Sequence, residues 1–362
     1  IFYLIQTKKN KKTSMKKLSW FNKVIYFFNI ILVILTFLAY VLPFLAPKFF
    51  PLLSVLTLIL PLFLIINLLF FLYWLFQFKK QMMLSFILLL IGITFINKYY
   101  KFTSKSTPVE PNDFTIMSYN VRLFNVFNWL PNPNVGQDIK KFIDDKNPDI
   151  LCIQEYSERA NIDFRVYKHK FIFIQGKNIK TGQAIFSKYK IINQGTIAFP
   201  ESDNLVIFAD VKKGKDTLRV YNIHLQSVKI SPDVSEIESD VNKINQQKSE
   251  AVLKQLSKAF KQQQHQAEIL VEHKKSSTFP MIICGDMNNS AFSYVYRSIK
   301  GDLIDCFEEA GKGFGETYNF KYYPARIDYI FVDKAMRVKE FQNFSSFKNS
   351  DHYPVIARVS MN

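Results

Sequence analysis

No aspartate or glutamate occurs in the first 109 of the 362 residues, and the first acidic side chain is Glu110. The same stretch holds 13 lysines and no arginine, so 47 − 13 = 34 basic residues follow it. The remainder therefore carries only 34 − 30 = +4 of the formal +17. A strongly basic chain ordinarily points to nucleic acid. Here the excess is lysine flanking apolar segments, which removes most of that reading. Cysteine is scarce: Cys152, Cys284 and Cys306 are widely spaced, with no CxxC. That argues against a disulfide framework, and Cys152 and Cys284 read as small core residues in apolar runs. Also missing are a Gly-x-Ser-x-Gly elbow, a Walker sequence and His-Glu-x-x-His, which disfavours serine-hydrolase, NTPase and zincin chemistry. Gly311-Lys312-Gly313-Phe314-Gly315 has the look of a phosphate loop but no strand–turn–helix context, and reads as a flexible loop.

What the N-terminal part does have is long uncharged runs: 24 residues between Lys23 and Lys48, 30 between Lys48 and Lys79, and 17 between Lys80 and Lys98. About 20 apolar residues span a bilayer core. Residues 1–100 thus read as a membrane anchor with about three transmembrane helices, roughly 24–44, 52–76 and 82–97, the first two with ends adjustable by Pro43, Pro47, Pro51 and Pro61. Lys8, Lys9, Lys11, Lys12, Lys16 and Lys17 precede the first span, and Lys79 and Lys80 separate the second from the third. The positive-inside rule places those segments in the cytoplasm and the chain after Lys98 on the extracytoplasmic side of the cytoplasmic membrane. Lys98, Lys101 and Lys105 count against this orientation, and two spans would reverse it. The chain begins without Met and has Met15, so the first fourteen residues need not be translated natively. Residues 101–113, with two prolines and no periodicity, read as a linker holding a soluble domain, 114–362, near the bilayer.

That domain mixes strands and helices without repeats. Strands are expected over Phe114–Tyr119, Ile150–Gln154, Val206–Val211, Thr217–Leu225, Met281–Cys284 (stopping at Gly285), Arg326–Val332 and Tyr353–Ser360. Lys213-Gly214-Lys215-Asp216 reads as a hairpin turn. Helical spacing covers Asn134–Lys146, with Asn132 or Asn134 as cap, and a long region from Ile237 to about His273, whose Gln/Lys face reads as solvated. Six polar clusters sit where strands end. They are Asn120 in Met-Ser-Tyr-Asn-Val-Arg, Glu155 in Ile-Gln-Glu-Tyr, His224 in Asn-Ile-His-Leu, Asp286 and Asn288 in Gly-Asp-Met-Asn, Asp328 in Arg-Ile-Asp-Tyr, and Asp351-His352 in Ser-Asp-His.

In this order the clusters resemble the endonuclease/exonuclease/phosphatase superfamily, the DNase I-like group, over residues 114–361. Thr181-Gly182-Gln183-Ala184-Ile185-Phe186-Ser187 matches the family's mid-domain strand. The resemblance implies an α/β fold, a four-layered α/β sandwich with two packed sheets and one divalent-metal site between their edges.

The residue chemistry agrees. Splitting a phosphoester calls for a cation to absorb phosphoryl charge, a base for water, and donors for developing negative charge. Glu155 is a hard oxygen ligand suited to Mg²⁺ (Mn²⁺ being the substitute), with Asn120 and Asp351 as neighbouring donors. Asp286 would position or deprotonate the water, and Asn288 and His224 would bind the phosphate. His352, oriented by Asp328, is the other candidate base. Each residue also has a plainer reading: Glu155 as a solvent-facing strand end, His224 as a half-buried strand residue, Asp328 as a partner of Arg326. The expectation is a membrane-anchored, Mg²⁺-dependent phosphoesterase acting on an unidentified phosphoester. The alternatives are an extracytoplasmic nuclease, which the +4 charge does not favour, and a non-catalytic binding module.

Overall fold

The structure, a computed structural model, describes residues 18–176, 180–200, 202–228, 246–321 and 323–362. The expectations for Lys8 to Lys17, Met15, Ile237, Val241 and Ile244 lie outside the described residues.

Three apolar helices open the chain: α1 (Trp20–Val41), α2 (Leu60–Phe76) and α3 (Met82–Tyr99). Ser19 caps α1 by accepting the Asn22 N–H. Two helical stretches, Trp20–Phe44 and Met82–Tyr99, are long and apolar enough to cross a membrane, while Leu60–Phe76 is shorter. The helix expected from residue 52 begins only at Leu60. Pro61 lacks an N–H and fits only the first turn, so Leu53–Thr57 instead forms a separate 3-10 turn. Polar side chains buried between the helices satisfy one another. Asn29 donates to Ser85 (2.8 Å) and accepts from Trp74 (3.1 Å), and Asn67 donates to Thr36 (2.9 Å).

Next come β1 (Tyr100–Lys101), β2 (Phe114–Asn120), α4 (Val135–Lys146), β3 (Ile150–Tyr156), β4 (His169–Gln175), β5 (Thr181–Ser187), β6 (Lys190–Ala198), β7 (Leu205–Lys213) and β8 (Asp216–His224). They are followed by α5 (Gln246–Lys275), β9 (Met281–Asp286), α6 (Tyr294–Lys300), β10 (Ile304–Asp305), α7 (Cys306–Ala310), β11 (Gly313–Phe314), β12 (Asp328–Val332), β13 (Met336–Asn343) and β14 (Val355–Met361). Two six-stranded sheets result, ordered β10-β12-β9-β8-β7-β6 and β13-β14-β2-β3-β5-β4. Their inner faces supply Ile116, Ile150, Cys152 and Ile185 on one side and Ile207, Val220, Ile282, Cys284 and Ile330 on the other, all fully buried. α5 and α6 cover the outer face of the first sheet, and α4 covers that of the second. The four layers are helix, sheet, sheet, helix, as the resemblance implied.

The two sheets are pinned by amides as well as by hydrophobic contact. Asn222 on β8 donates to the carbonyls of Ile153 (2.8 Å) and Ala184 (3.0 Å) and accepts from Gln154 (2.6 Å). Leaving such buried groups unpaired costs about 1–3 kcal/mol each, so this bridge fixes how the sheets slide.

Three local expectations need correcting. β9 does not stop at Gly285. It continues to Asp286, with Gly285 paired to Ile223 and Tyr329 on either side. The Gln face of α5 is not solvated: Gln263, Gln264 and Gln266 are buried, because the loops beyond β8 and β9 use the amides of Gln263 and Gln266, and Lys48 uses that of Gln264. The 311–315 segment is tied down, since Gly313–Phe314 pairs with Tyr100–Lys101. Residues 101–113, between the helices and the domain, are bonded along the domain. Lys105 donates to Ala310 O (3.3 Å), and Arg358 on β14 reaches Asp113 and the carbonyls of Thr107 and Pro108. Cys152, Cys284 and Cys306 are all buried free thiols.

Candidate active site

Register sets the site. Parallel pairing of β8 with β9 puts His224 beside Asp286, and antiparallel pairing of β9 with β12 puts Asp328 beside Asp286 from the other side. Three polar residues thus share one edge of the sheet, His224 and Asp286 closing β8 and β9 and Asp328 opening β12. In the opposing sheet, β2 and β3 run parallel with Asn120 beside Gln154, so Glu155 follows at the same edge. Glu155 has φ 50° and lies at an irregularity in the pairing with β5. This turns its carboxylate out of the strand's alternation toward the cleft. The edges of both sheets therefore meet at one point.

The centre of that point is Asp286 Oδ2. Asn120 Nδ2 donates to it at 3.1 Å and Asn288 Nδ2 at 3.1 Å, while His352 Nε2 lies 3.6 Å away and His224 Nε2 3.7 Å away. Asp286 Oδ1 accepts the Asn288 N–H at 2.7 Å, and Asn288 holds a left-handed φ of 50° to make that contact. Asp286 is fully buried. Burial pushes its carboxyl up to about 6, against the opposing pull of His352.

His352 Nδ1 meets Asp328 Oδ2 at 2.9 Å. Burial works against charge on the imidazole, but Asp328 and Asp286 outweigh it and hold the ring up to about 10. Asp328 does not pair with Arg326, whose guanidinium binds Asp305 at 2.7 Å instead. The Asp328 backbone N–H is held by Thr317 Oγ1 at 3.0 Å, and the edge of Tyr318 packs on the His352 ring with centroids 4.9 Å apart. His224 is driven the other way: burial lowers its pKa and keeps it neutral.

Glu155 sits at the mouth, its Oε1 3.3 Å from Asn120 Nδ2 and 3.7 Å from His224 Nε2. Burial raises its carboxyl and the charge on Asp351 raises it further, which His352 only partly offsets. Asp351 Oδ2 is 3.4 Å from Arg122 Nε. The Asn120 amide presents nitrogen to the two carboxylates, while its oxygen accepts the Arg122 N–H at 3.1 Å. For Asn120 to serve as an oxygen ligand, its amide must turn over.

All eight residues singled out in the sequence (Asn120, Glu155, His224, Asp286, Asn288, Asp328, Asp351 and His352) come together here. Arg122 and Gln263 were overlooked. Arg122 stacks on Trp129, 4.7 Å from the ring centroid, in a stretch where residues 122–125 all have positive φ. Its signal was an arginine two residues past a strand-end asparagine. Gln263 donates to Asn288 O at 3.0 Å and accepts from Asn289 at 2.7 Å, bracing the loop that carries Asn288. Nothing distinguished it within a polar helix.

Among the described residues, Asp286, Asp328 and His352 also each offer an atom within 4.8 Å of one another, as a metal site could. An imidazole held protonated between two carboxylates cannot ligate, because it has no free lone pair. The oxygen donors at the mouth fit a divalent cation better. Glu155 carries a carboxyl raised chiefly by burial, and a cation bound beside it would compensate the charge that burial penalises.

Comparison with known proteins agrees with this architecture. Residues 22–99 match a domain of unknown function (DUF8431). Among curated proteins none matches. An endonuclease/exonuclease/phosphatase from Beutenbergia cavernae superposes with a TM-score of 0.51 at 15% identity, over 69% of this chain and 72% of that one. One from Bacteroides vulgatus gives 0.51 at 18%, over 69% and 99%. The human nocturnin catalytic domain, solved with a bound sulfate anion, gives 0.50 at 15%, over 71% and 96%. Identities this low establish the shared fold. The model of the endonuclease/exonuclease/phosphatase family matches residues 117–352, more than half of the chain and every residue of the cleft, and the chain belongs to that family.

Proposed function

We propose that the protein is a membrane-anchored phosphoesterase that uses a divalent metal, Mg²⁺ or Mn²⁺, and hydrolyses its substrate by direct attack of water. The observation that carries this reading is the environment of Asp286: one buried carboxylate oxygen with four nitrogen groups within 3.7 Å, from Asn120, His224, Asn288 and His352. A carboxyl raised to about 6 is poised to take a proton from water near neutral pH. The roles follow from the charges. Asp286 is the base. His352, held cationic by Asp328, is the fixed positive charge facing the phosphoryl oxygens, and Asn288 and neutral His224 are hydrogen-bonding groups for the same oxygens. Glu155 and Asp351, with Asn120 if its amide turns, would hold the metal, which supplies Lewis-acid stabilisation of phosphoryl charge when bound. The sulfate in the nocturnin catalytic domain supports a tetrahedral anion as the ligand class.

A pH profile tests the assignment of the base. Asp286 must be ionised to act, so kcat should fall as pH drops through about 6. His352 pulls that carboxyl downward, so His352→Asn should move the acidic limb to higher pH. An acidic limb near the ordinary carboxylate range, unmoved by His352→Asn, would remove Asp286 from the role.

A further inference from the structure

The face of the catalytic domain that carries Asn288 and Asp328 is also the face on which the apolar helices end. Ser290, two residues past Asn288, lies with Oγ 3.4 Å from the carbonyl of Thr57. Phe292 enters the helix cluster, its ring centroid 6.1 Å from that of Phe95. Arg326, two residues before Asp328, donates to the carbonyl of Lys98 at 3.0 Å. The Lys48 N–H donates to Gln264 at 2.7 Å, next to the Gln263 that braces Asn288. Every one of these contacts is made by the same end of the bundle: the ends of α1 and α3 and the segment leading into α2. Two residues of extended chain span about 7 Å, so both site loops are held within that reach of the helix ends.

The segment between α1 and α2 adds a second observation. It buries Leu42, Ser54 and Thr57 but leaves Phe44, Phe49, Phe50, Leu52 and Leu53 exposed, Phe49 at 68%. A water-facing loop of a soluble domain does not present five large apolar side chains together. A segment lying in the headgroup region does, with a lysine such as Lys48 among the aromatics.

We infer that the cleft draws its substrate from the leaflet in which these helices end, and that the substrate class is a phosphoester carried by a membrane lipid. The inference rests on the phosphoesterase reading and the membrane anchoring proposed above. The +4 charge of the chain after residue 109 agrees, because a polynucleotide site needs a basic stripe.

The test uses the full chain in phosphatidylcholine vesicles with Mg²⁺ and two diesters that share phosphorus and leaving group. Hexadecyl p-nitrophenyl phosphate resides in the bilayer and ethyl p-nitrophenyl phosphate in water, and a duplex oligonucleotide is the third substrate. Confinement to the leaflet raises effective concentration, so kcat/KM should be about ten-fold or more higher for the long-chain ester. Phe49→Ser with Leu52→Ser should erase most of that preference while leaving the ethyl ester rate unchanged, and that rate also reports that the variant is folded. Equal efficiency on both esters, an undiminished preference in the double variant, or faster cleavage of the oligonucleotide would overturn the inference while leaving the phosphoesterase reading in place. Failure to hydrolyse any of the three would overturn both.

Discussion

His352→Asn should lower kcat for a phosphodiester by about three orders of magnitude, within the range that a positioned proton-transfer or charge-stabilising group contributes. Asparagine keeps a polar side chain of similar reach but no charge. The ring it replaces is buried, bound by Asp328 at 2.9 Å and 3.6 Å from Asp286. Removing it leaves Asp286 and Asp328 facing each other without a cation, so the loss is electrostatic as well as positional. Asp328→Asn should act through the histidine. His352 then loses the partner that holds it up to about 10, and the alkaline limb of the rate profile should move down in pH. Steady-state kinetics on the full chain in detergent micelles with Mg²⁺ measures both. A His352→Asn enzyme within ten-fold of wild type, or an alkaline limb unmoved by Asp328→Asn, would remove this pair from the mechanism.

The second large effect concerns Gly285. Its φ is +133°, and a Cβ built on it would meet the Ile223 carbonyl oxygen at 2.0 Å, with the Ile223 nitrogen at 2.8 Å. β8 and β9 approach each other here so that His224 and Asp286 can sit side by side. Gly285→Ala must therefore push the two strands apart or unfold the edge, at about 4 kcal/mol or more. Gly214, in the β7–β8 turn, is the internal control. It also has positive φ (+59°), but nothing lies within 4 Å of an added Cβ, so Gly214→Ala should cost only about 1 kcal/mol. Denaturant unfolding of the two variants separates close approach from backbone preference. Equal stabilities would show that the β8–β9 contact is not what requires glycine.

Much of the cleft was legible because its residues share one local signature, a polar side chain just past an apolar run. Asn120, Glu155, His224 and Asp286 each carry it, whereas Asp328 opens the apolar run of β12, and strand ends at one edge of a sheet are neighbours whatever the order of the strands. What periodicity cannot encode is which strands pair. That His224 and Asp328 flank Asp286 follows from one parallel and one antiparallel register. The Gln face of α5 reads as solvated for a related reason. Polarity along a helix reports what the side chains can bond, and here their partners are the loops holding Asn288 and Lys48 rather than water. Gly285 reads as a strand end because glycine usually weakens strands, whereas here it permits close pairing. The 101–113 segment has linker composition, and Arg358, about 250 residues away, fastens it. The proposal of Asp286 rather than His352 as the base rests on the burial and charge of both, and neither is legible in a strand-end motif.

Hydrolysis by this cleft should depend on a divalent cation held at Glu155. The full chain should be stripped with EDTA, Mg²⁺ titrated back, and hydrolysis of bis(p-nitrophenyl) phosphate followed for wild type and Glu155→Ala. We expect no turnover in the stripped protein, saturable recovery with Mg²⁺ in the wild type, and recovery in Glu155→Ala only at concentrations on the order of 10–100-fold higher. Turnover that survives EDTA, or identical Mg²⁺ titrations for the two proteins, would contradict it.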